Sequence, residues 1–158
     1  MNLKQMLDQA DSIIFVCSGN IIRSAYCHIK SIHYNIPRSI YSVGVKYYNT
    51  EIDPPVRTRL LKDNIDQKII DSFNPTHITN FNEKLTKNDL FLCMTNEHLN
   101  LIHKYFPNNP QLLITQLLDE KTDIIDPYYT QNYDITFTKL DLCLHKLQEN
   151  FLKIDDSN

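Results

Sequence analysis

The sequence predicts an α/β fold in which helices cover both faces of a four-stranded parallel sheet. Short apolar runs of strand length alternate along the chain with longer segments of helical periodicity. The runs are apolar at nearly every position, which is typical of strands that are buried on both faces. A chain of 158 residues can form one domain with a substantial core, and its hydrophobic content of 42% excludes wholesale disorder.

The first third of the chain predicts two strands, each with helices around it. Apolar residues at helical spacing predict a short leading helix over 3–10, and a second helix is expected over Arg23–Tyr34, before Pro37. The strands are expected at Ser12–Val16 and Ser39–Gly44. After a loop over 46–52, Asp53 followed by two prolines predicts a capped helix start that leads into Val56–Asp63.

The rest of the chain continues the alternation after an irregular stretch, 65–87, where short helices and turns are expected. Strands are predicted at Asp89–Met94 and Gln111–Ile114, with a helix between them that is capped by Thr95 or Asn96 and ends at Tyr105. A long helix over 133–151 closes the fold. The pattern predicts a three-layer, flavodoxin-like or Rossmann-like architecture, with a single domain over 1–154 and a flexible tail over 155–158.

Composition narrows the function classes. A net charge of −3 with dispersed basic residues argues against nucleic-acid binding. The four cysteines form no C-x-x-C pair, so neither a zinc site nor a disulfide framework is indicated and a reducing compartment is favoured. The run Ile13–Val16 is too short for a signal core or a membrane span. We therefore expect a soluble, cytoplasmic protein without metal or cofactor, as a monomer or weak homodimer.

The stretch from Ile13 to Ser24 carries the strongest functional signal. An apolar run leads into a small polar loop, Cys17–Ile22, and then into a helix that begins at Arg23. Backbone N–H groups at a helix start, together with the helix dipole, favour an anion there. A cysteine at the base of such a loop would react as a thiolate, and an arginine at its far end can hold two oxygens of one phosphate.

Chance alone places an arginine six positions after a cysteine in roughly one such chain in ten. One of the two glycines of the chain, Gly19, lies in the loop, where a backbone has to turn and approach a ligand closely. Ser24 adds a hydroxyl where the loop enters the helix. The competing interpretation is a buried Cys17 that ends a core strand and a solvated Arg23. Spacing and context favour function by about two to one.

A thiolate that attacks phosphorus expels an alkoxide or phenoxide, and this leaving group needs a proton. The six histidines show no zinc-helix spacing, and surface or half-buried positions are expected for all of them. Asp126 is a better candidate for the proton donor, because it precedes Pro127 in a late loop and two tyrosines follow. An Asp-Pro pair alone indicates a turn more often than a catalytic group.

Two motifs together resemble those of the low-molecular-weight protein tyrosine phosphatase family: Cys17–Ser24 after Ile13–Val16, and Asp126-Pro127-Tyr128-Tyr129. The resemblance extends over most of the chain. It includes the second-strand segment Ser42-Val43-Gly44, the Asp53-Pro54 pair before a helix, and Leu92–His98. Two chemical motifs in the family's order and near its separation are far more specific than either one alone.

The resemblance implies a tyrosine phosphatase that works through a phosphocysteine intermediate. Cys17 is then the nucleophile, Arg23 holds the phosphoryl oxygens, and Asp126 protonates the leaving group and afterwards activates water. Ser24 would donate a hydrogen bond to the thiolate. Asn20 would fix the loop in an unusual backbone conformation, tied by a hydrogen bond to Ser42.

The implied substrates are phosphotyrosine proteins or small aryl phosphates, because a deep aromatic cleft suits phosphotyrosine better than the shorter phosphoserine. The resemblance places an aromatic face opposite Tyr128 and Tyr129, supplied by Tyr48 or, as a less favoured candidate, by Tyr47. Ordinary packing is the preferred interpretation of the Tyr47 side chain. The remaining substrate-binding residues are expected in the loop and in the aromatic walls: Ser18, Gly19, Asn20, Ile21, Ile22, Ser24, Tyr48, Tyr128 and Tyr129.

Some positions depart from the family pattern. Ile22 stands where many members carry a second cysteine that protects the nucleophile as a disulfide, and Ala25 and Thr95 replace a frequent proline and aspartate. The segment 73–81 does not align with the family's middle region, and a match of His77 there is no better than chance. Two alternatives stay open: a thiol-dependent arsenate reductase on the same fold, which needs two further cysteines, and a non-catalytic phosphotyrosine-binding module.

Overall fold

The computed structural model describes residues 1–156, with side chains described up to Leu152. The four strands are β1 (Ser12–Cys17), β2 (Ser39–Gly44), β3 (Leu90–Cys93) and β4 (Gln111–Leu113). The helices are α1 (Leu3–Gln9), α2 (Arg23–His33), α3 (Pro54–Lys62), α4 (Gln67–Ser72), α5 (Asn96–Tyr105), α6 (Pro127–Thr130) and α7 (Tyr133–Asp156). Over residues 1–156, no helix has both the length and the apolar character needed to cross a membrane. Of the tail predicted over 155–158, residues 157–158 lie outside the described residues.

The sheet is entirely parallel, with the strand order β2-β1-β3-β4. The predicted α/β class is confirmed. In this register Val16 of β1 pairs with Val43 of β2 and with Cys93 of β3. The carboxyl ends of three neighbouring strands therefore meet at one edge of the sheet, where parallel α/β folds bind their ligands.

Each face of the sheet has its own core, because successive side chains of a strand point to opposite sides. Ile13 and Phe15 pack in the larger core with residues of α2 and α7, where the rings of Tyr26 and Phe137 stack with centroids 4.5 Å apart. Ile14 and Val16 belong to the smaller core, which includes residues of α5. All six residues of β1 are buried, which explains its uninterrupted apolar run.

A buried lysine fixes helix α2, the helix that begins with Arg23. Lys30 Nζ lies 2.7 Å from Asp63 at the end of α3 and 2.8 Å from Asp141 on α7. Burial lowers the pKa of Lys30, but hydrogen bonds to the two carboxylates outweigh this effect and leave the pKa above its ordinary value. The lysine thus stays charged and joins three helices on one face of the sheet.

The start of α3 differs from the prediction. The sequence predicts a capping side chain at Asp53, but this carboxylate makes no cap and accepts a hydrogen bond from Tyr133 Oη instead (2.7 Å). Pro55, at the second helical position, has no N–H to donate to a cap. The expected loop after Asp126 also differs, because it contains the short helix α6. The predicted Thr95 cap of α5 is confirmed.

Candidate active site

The loop between β1 and α2 lies at the carboxyl edge of the sheet, directly beside the end of β2. Cys17 is the last residue of β1 and pairs with Gly44, the last residue of β2. A Cβ atom on Gly44 would lie 2.8 Å from the backbone carbon of Gly19 and 3.0 Å from the Asn20 nitrogen. Position 44 therefore needs glycine for the loop to sit this close to the sheet.

The loop turns its carbonyl oxygens toward the protein and keeps its N–H groups free. The carbonyl oxygens that accept hydrogen bonds belong to Cys17, Ser18, Gly19, Ile21 and Ile22. By contrast, the N–H groups of residues 18, 19, 21 and 22 donate to no other described residue. Ile22 is the N-cap of α2, and its apolar side chain caps none of the first-turn N–H groups. This polarity favours an anion in the hollow of the loop.

Cys17 lies at the base of this hollow and is 2% exposed. Its Sγ accepts a hydrogen bond from the Asn20 N–H (3.3 Å) and lies 2.9 Å from Ser24 Oγ. The Asn20 side-chain amide donates to the same Ser24 oxygen (2.7 Å). Because Ser24 Oγ already accepts that bond, its own proton is free to be donated to the sulfur. The arrangement stabilises negative charge on Sγ.

Asn20 adopts a left-handed backbone conformation with φ of 56°, which asparagine tolerates better than most residues. Its Oδ1 accepts a hydrogen bond from the Thr76 N–H (2.8 Å). The expected bond to Ser42 is not formed, because Ser42 Oγ pairs with His28 Nδ1 (2.7 Å). Thr76 takes this role because its segment runs along the end of β2, where its carbonyl accepts from the Gly44 N–H (2.8 Å).

The structure brings Arg23 and Asp126 together although 103 positions separate them. The Arg23 side chain is 4% exposed; one guanidinium nitrogen donates to the Ile124 carbonyl (2.9 Å) and another to Asp126 Oδ2 (3.2 Å). The other carboxylate oxygen of Asp126 accepts from the Tyr128 N–H at the start of α6 (3.0 Å). One end of the carboxylate is therefore fixed by backbone, and the other faces the arginine.

These residues surround an open pocket of about 490 Å³. Tyr48, Tyr128 and Tyr129 line it, and so does Tyr47, which was expected only to pack. Asn20 and Ser24 do not line it, because both are fully buried behind the loop. The full lining is Cys17, Ser18, Gly19, Ile21, Ile22, Arg23, Tyr47, Tyr48, Asn49, Asp126, Tyr128 and Tyr129.

A family model described as low molecular weight phosphotyrosine protein phosphatase matches residues 12–156. The chain belongs to this family. It is therefore a phosphatase. A curated relative, the low molecular weight protein-tyrosine-phosphatase PtpB of Staphylococcus haemolyticus (strain JCSC1435), is 26% identical over 142 residues, which cover 87% of this chain and 98% of PtpB.

Solved structures share the fold of this phosphatase at lower identity. The YwlE arginine phosphatase from Geobacillus stearothermophilus aligns with a TM-score of 0.75 and 19% identity, covering 93% of this chain and 96% of that one. The tyrosine phosphatase Wzb from Escherichia coli K30, in complex with sulphate, aligns with a TM-score of 0.71 and 23% identity, covering 90% and 99%. Both alignments extend over nearly the whole domain.

Sequence reasoning missed one histidine of the phosphatase site. His98 is 1% exposed, and its Nε2 lies 2.9 Å from Ser18 Oγ in the loop. The expectation of a surface or half-buried position is therefore wrong for His98. Burial, and to a lesser extent the charges of Arg23 and Lys46, lower the pKa of His98 to about 3. Its position in the first turn after β3, at the ligand-binding edge of the sheet, is the signal that could have identified it.

Proposed function

We propose that this phosphatase hydrolyses phosphotyrosine in proteins, or small aryl phosphates, through a phosphocysteine intermediate. The polarity of the loop carries the proposal: four N–H groups that have no acceptor among the described residues surround a buried thiol, while the loop carbonyls are bonded elsewhere. Arg23 stands at the end of the same loop and can hold phosphoryl oxygens by charge-assisted bonds. This set of donors suits a phosphate dianion better than a neutral substrate.

In the first step, Cys17 Sγ attacks phosphorus and forms an S–P bond, while the bond from phosphorus to the aryl oxygen breaks. Asp126 gives its proton to the departing phenoxide. In the second step, the Asp126 carboxylate takes a proton from water, the water oxygen bonds to phosphorus, and the S–P bond breaks. Inorganic phosphate and the Cys17 thiolate are released, and the Ser24 hydroxyl stabilises that thiolate as it leaves.

The contact between Arg23 and Asp126 supports this division of roles. One guanidinium nitrogen of Arg23 donates to Asp126 Oδ2 at 3.2 Å, and a phosphoryl group in the loop would compete with Asp126 for this donor. Arginine binds two oxygens of a phosphate in a fork geometry, so that substrate binding would free one carboxylate oxygen at the mouth of the pocket. Asp126 would then face the leaving-group oxygen and not the arginine.

The aromatic walls favour an aryl leaving group. Four tyrosines line the pocket, and Tyr48, Tyr128 and Tyr129 are each more than 60% exposed. Their ring faces offer contact area to a substrate ring beyond the phosphate. Phosphoarginine is the main competitor, because YwlE is an arginine phosphatase of the same fold. The cationic guanidinium of phosphoarginine would need an acidic partner in the pocket. Asp126 is the one carboxylate among the described lining residues, and the proposed mechanism needs it as the proton donor, so we favour phosphotyrosine.

The thiols other than Cys17 speak against the arsenate reductase alternative. Cys27, Cys93 and Cys143 are completely buried. Burial raises the pKa of all three, that of Cys143 to about 12, so none of them is available as a thiolate to relay a disulfide. A non-catalytic binding module would have no need for Asp126 beside the arginine.

The proposal is tested with p-nitrophenyl phosphate and with phosphotyrosine, phosphoserine and phosphoarginine peptides, in reducing buffer without added metal. We expect the phosphotyrosine peptide to have the highest kcat/KM. Cys17→Ser should abolish turnover but keep oxyanion binding, and Asp126→Ala should lower kcat by about 10²–10⁴-fold, most for poor leaving groups. Full activity in Cys17→Ser would refute the nucleophile, and a preference for phosphoarginine would refute the substrate class.

We further propose that the phosphatase works in the cytoplasm as a monomer or weak homodimer. Its four cysteines are free and buried, which suits a reducing compartment. Cell fractionation and analytical ultracentrifugation over a concentration series test the two parts. Export from the cytoplasm, or a tight dimer at low concentration, would contradict them.

A further inference from the structure

Tyr48, one of the pocket walls, is covered on one face by a second ring. The Tyr48 and His77 rings stack with centroids 3.7 Å apart and an interplanar angle of 16°. Tyr48 lines the pocket, whereas His77 does not, so the remaining surface of the tyrosine ring is what a ligand meets. The tyrosine is 67% exposed, and an exposed side chain of this kind changes rotamer within nanoseconds unless it is held.

Thr79 forms hydrogen bonds to the side chains of both Tyr48 and His77. Its N–H donates to His77 Nδ1 (3.2 Å), and its Oγ1 lies 2.7 Å from the same nitrogen and 2.8 Å from Tyr48 Oη. Because Nδ1 accepts from a backbone N–H, it carries no proton, and the Thr79 hydroxyl donates to it as well. The Tyr48 hydroxyl then donates to Thr79. The ring of Tyr48 is thus held by its face and by its hydroxyl.

The segment that holds the Tyr48 ring is also bonded to the loop Cys17–Ile22. His77 pairs with Gly44 through an isolated bridge beside β2, and the N–H of the preceding residue, Thr76, donates to Asn20. His77 and Thr79 therefore project from a backbone that is anchored to the loop itself. The Tyr48 backbone is itself bonded to the loop through its neighbours, Tyr47 to the Ser18 carbonyl and Asn49 to the Gly19 carbonyl, so residues 76–79 act on the orientation of the Tyr48 ring.

We propose that His77 and Thr79 are positioning residues, which order Tyr48 before the substrate binds and so set the affinity for the aryl part of the substrate. This inference rests on the proposed function, since it assigns a role to the leaving-group side of that same pocket. Ordering a free side chain on binding costs affinity, and a wall that is already ordered avoids this cost. Loss of the support should weaken aryl binding by about three- to tenfold.

Steady-state kinetics of His77→Ala test the proposal. KM for p-nitrophenyl phosphate should rise by about three- to tenfold, with kcat within about twofold of the parent. The inhibition constant for inorganic phosphate should not change, because phosphate does not reach the aromatic wall. His77→Phe keeps a stacking ring and should restore KM, and His103→Ala, at an exposed position on α5, serves as control. An unchanged KM, or an equal rise in the phosphate inhibition constant, would overturn the proposal.

A fluorescence measurement tests the same stack without relying on activity. The chain has no tryptophan, so Tyr48→Trp places a single reporter at the wall. Adding His77→Ala in this background should lower the steady-state anisotropy of the tryptophan, because the indole loses its stacked neighbour, and adding His103→Ala should not. Equal anisotropy with and without His77 would refute the positioning role. Even if the enzyme did not hydrolyse aryl phosphates, the anisotropy would still show whether His77 orders the side chain at position 48.

Discussion

Acidification should destabilise the folded phosphatase through His98, which lies beside the loop Cys17–Ile22 and contacts Ser18. The pKa of His98 in the folded protein is about 3, because the imidazole is buried and the charges of Arg23 and Lys46 add to this effect. An unfolded chain gives histidine a pKa of about 6.5. We expect His98→Gln to remove this pH dependence while keeping the hydrogen bond to Ser18.

The sign follows from the lowered pKa. As the pH falls below 6.5, the unfolded chain binds the proton and the folded chain does not, so the stability that neutral burial provides above pH 6.5 is progressively lost toward pH 3. At pH 5 the gap is about 1.5 pH units, which corresponds to about 2 kcal/mol of unfolding free energy. His28, with a pKa lowered to about 4 by burial, should contribute about 2 kcal/mol more over the same range.

Urea unfolding followed by circular dichroism between pH 7.5 and pH 5, in the presence of a reductant, measures the effect. Glutamine places an amide near the position of Nε2 and carries no titrating proton. The unfolding free energy of His98→Gln should therefore fall by about 2 kcal/mol less than that of the parent over this range. His28→Asn, whose amide stands in for Nδ1 beside Ser42, should behave in the same way. His103→Gln is the control, because its side chain is exposed in the folded protein.

A parallel loss of stability in parent and His98→Gln would show that His98 is not held neutral in the folded state, and it would refute the linkage. The slope of unfolding free energy against urea concentration has to stay constant with pH for the comparison to hold.

Three further predictions concern other parts of the site and its support. Gly44→Ala should lower kcat/KM by about 10²-fold, because the new Cβ would meet the Gly19 backbone at 2.8 Å and displace the loop. After peroxide treatment, thiol should restore more activity to Ile22→Cys than to the parent, since the parent lacks the second loop cysteine. Asp141→Ala should lower the unfolding free energy by about 3 kcal/mol in urea titrations, because Lys30 loses one of its two carboxylates. An unchanged kcat/KM in Gly44→Ala would contradict the first prediction, and equal recovery of activity in parent and Ile22→Cys the second. An unchanged unfolding free energy in Asp141→Ala would contradict the third.

The strands could be predicted because burial on both faces imposes apolar runs, such as Ile13–Val16, that are visible without any long-range information. The loop from Cys17 to Arg23 was accessible for a similar reason, since nucleophile, glycine and arginine are neighbours in the chain. The irregular segment around Thr76 could not be predicted from the sequence, because contacts to the loop and to β2 hold it in place more than a periodic apolar face does.

The same distinction explains the errors at single residues. The partner of Asn20 depends on which distant segment lies beside it. That segment contains Thr76, whose N–H bonds to Asn20, whereas Ser42 is paired with His28. His98 is buried because α5 starts beside the loop, which the apolar periodicity of the helix does not reveal and only its place directly after β3 indicates. Asp53 looked like a cap in the local sequence, whereas its partner, Tyr133, lies 80 positions away. Contacts between distant segments decide each of these cases.

The two glycines of this chain touch each other across the end of the sheet. Neither glycine adopts a left-handed backbone conformation; in the described residues, those with positive φ all carry a side chain: Asn20, Asn35, Asn64, Asp119 and Gln131. The loop Cys17–Ile22 thus depends on a neighbouring strand for its shape. Anyone who transplants residues 17–24 onto another parallel sheet has to bring a neighbouring strand that ends in glycine, because the loop backbone packs against Gly44 more closely than a Cβ would allow.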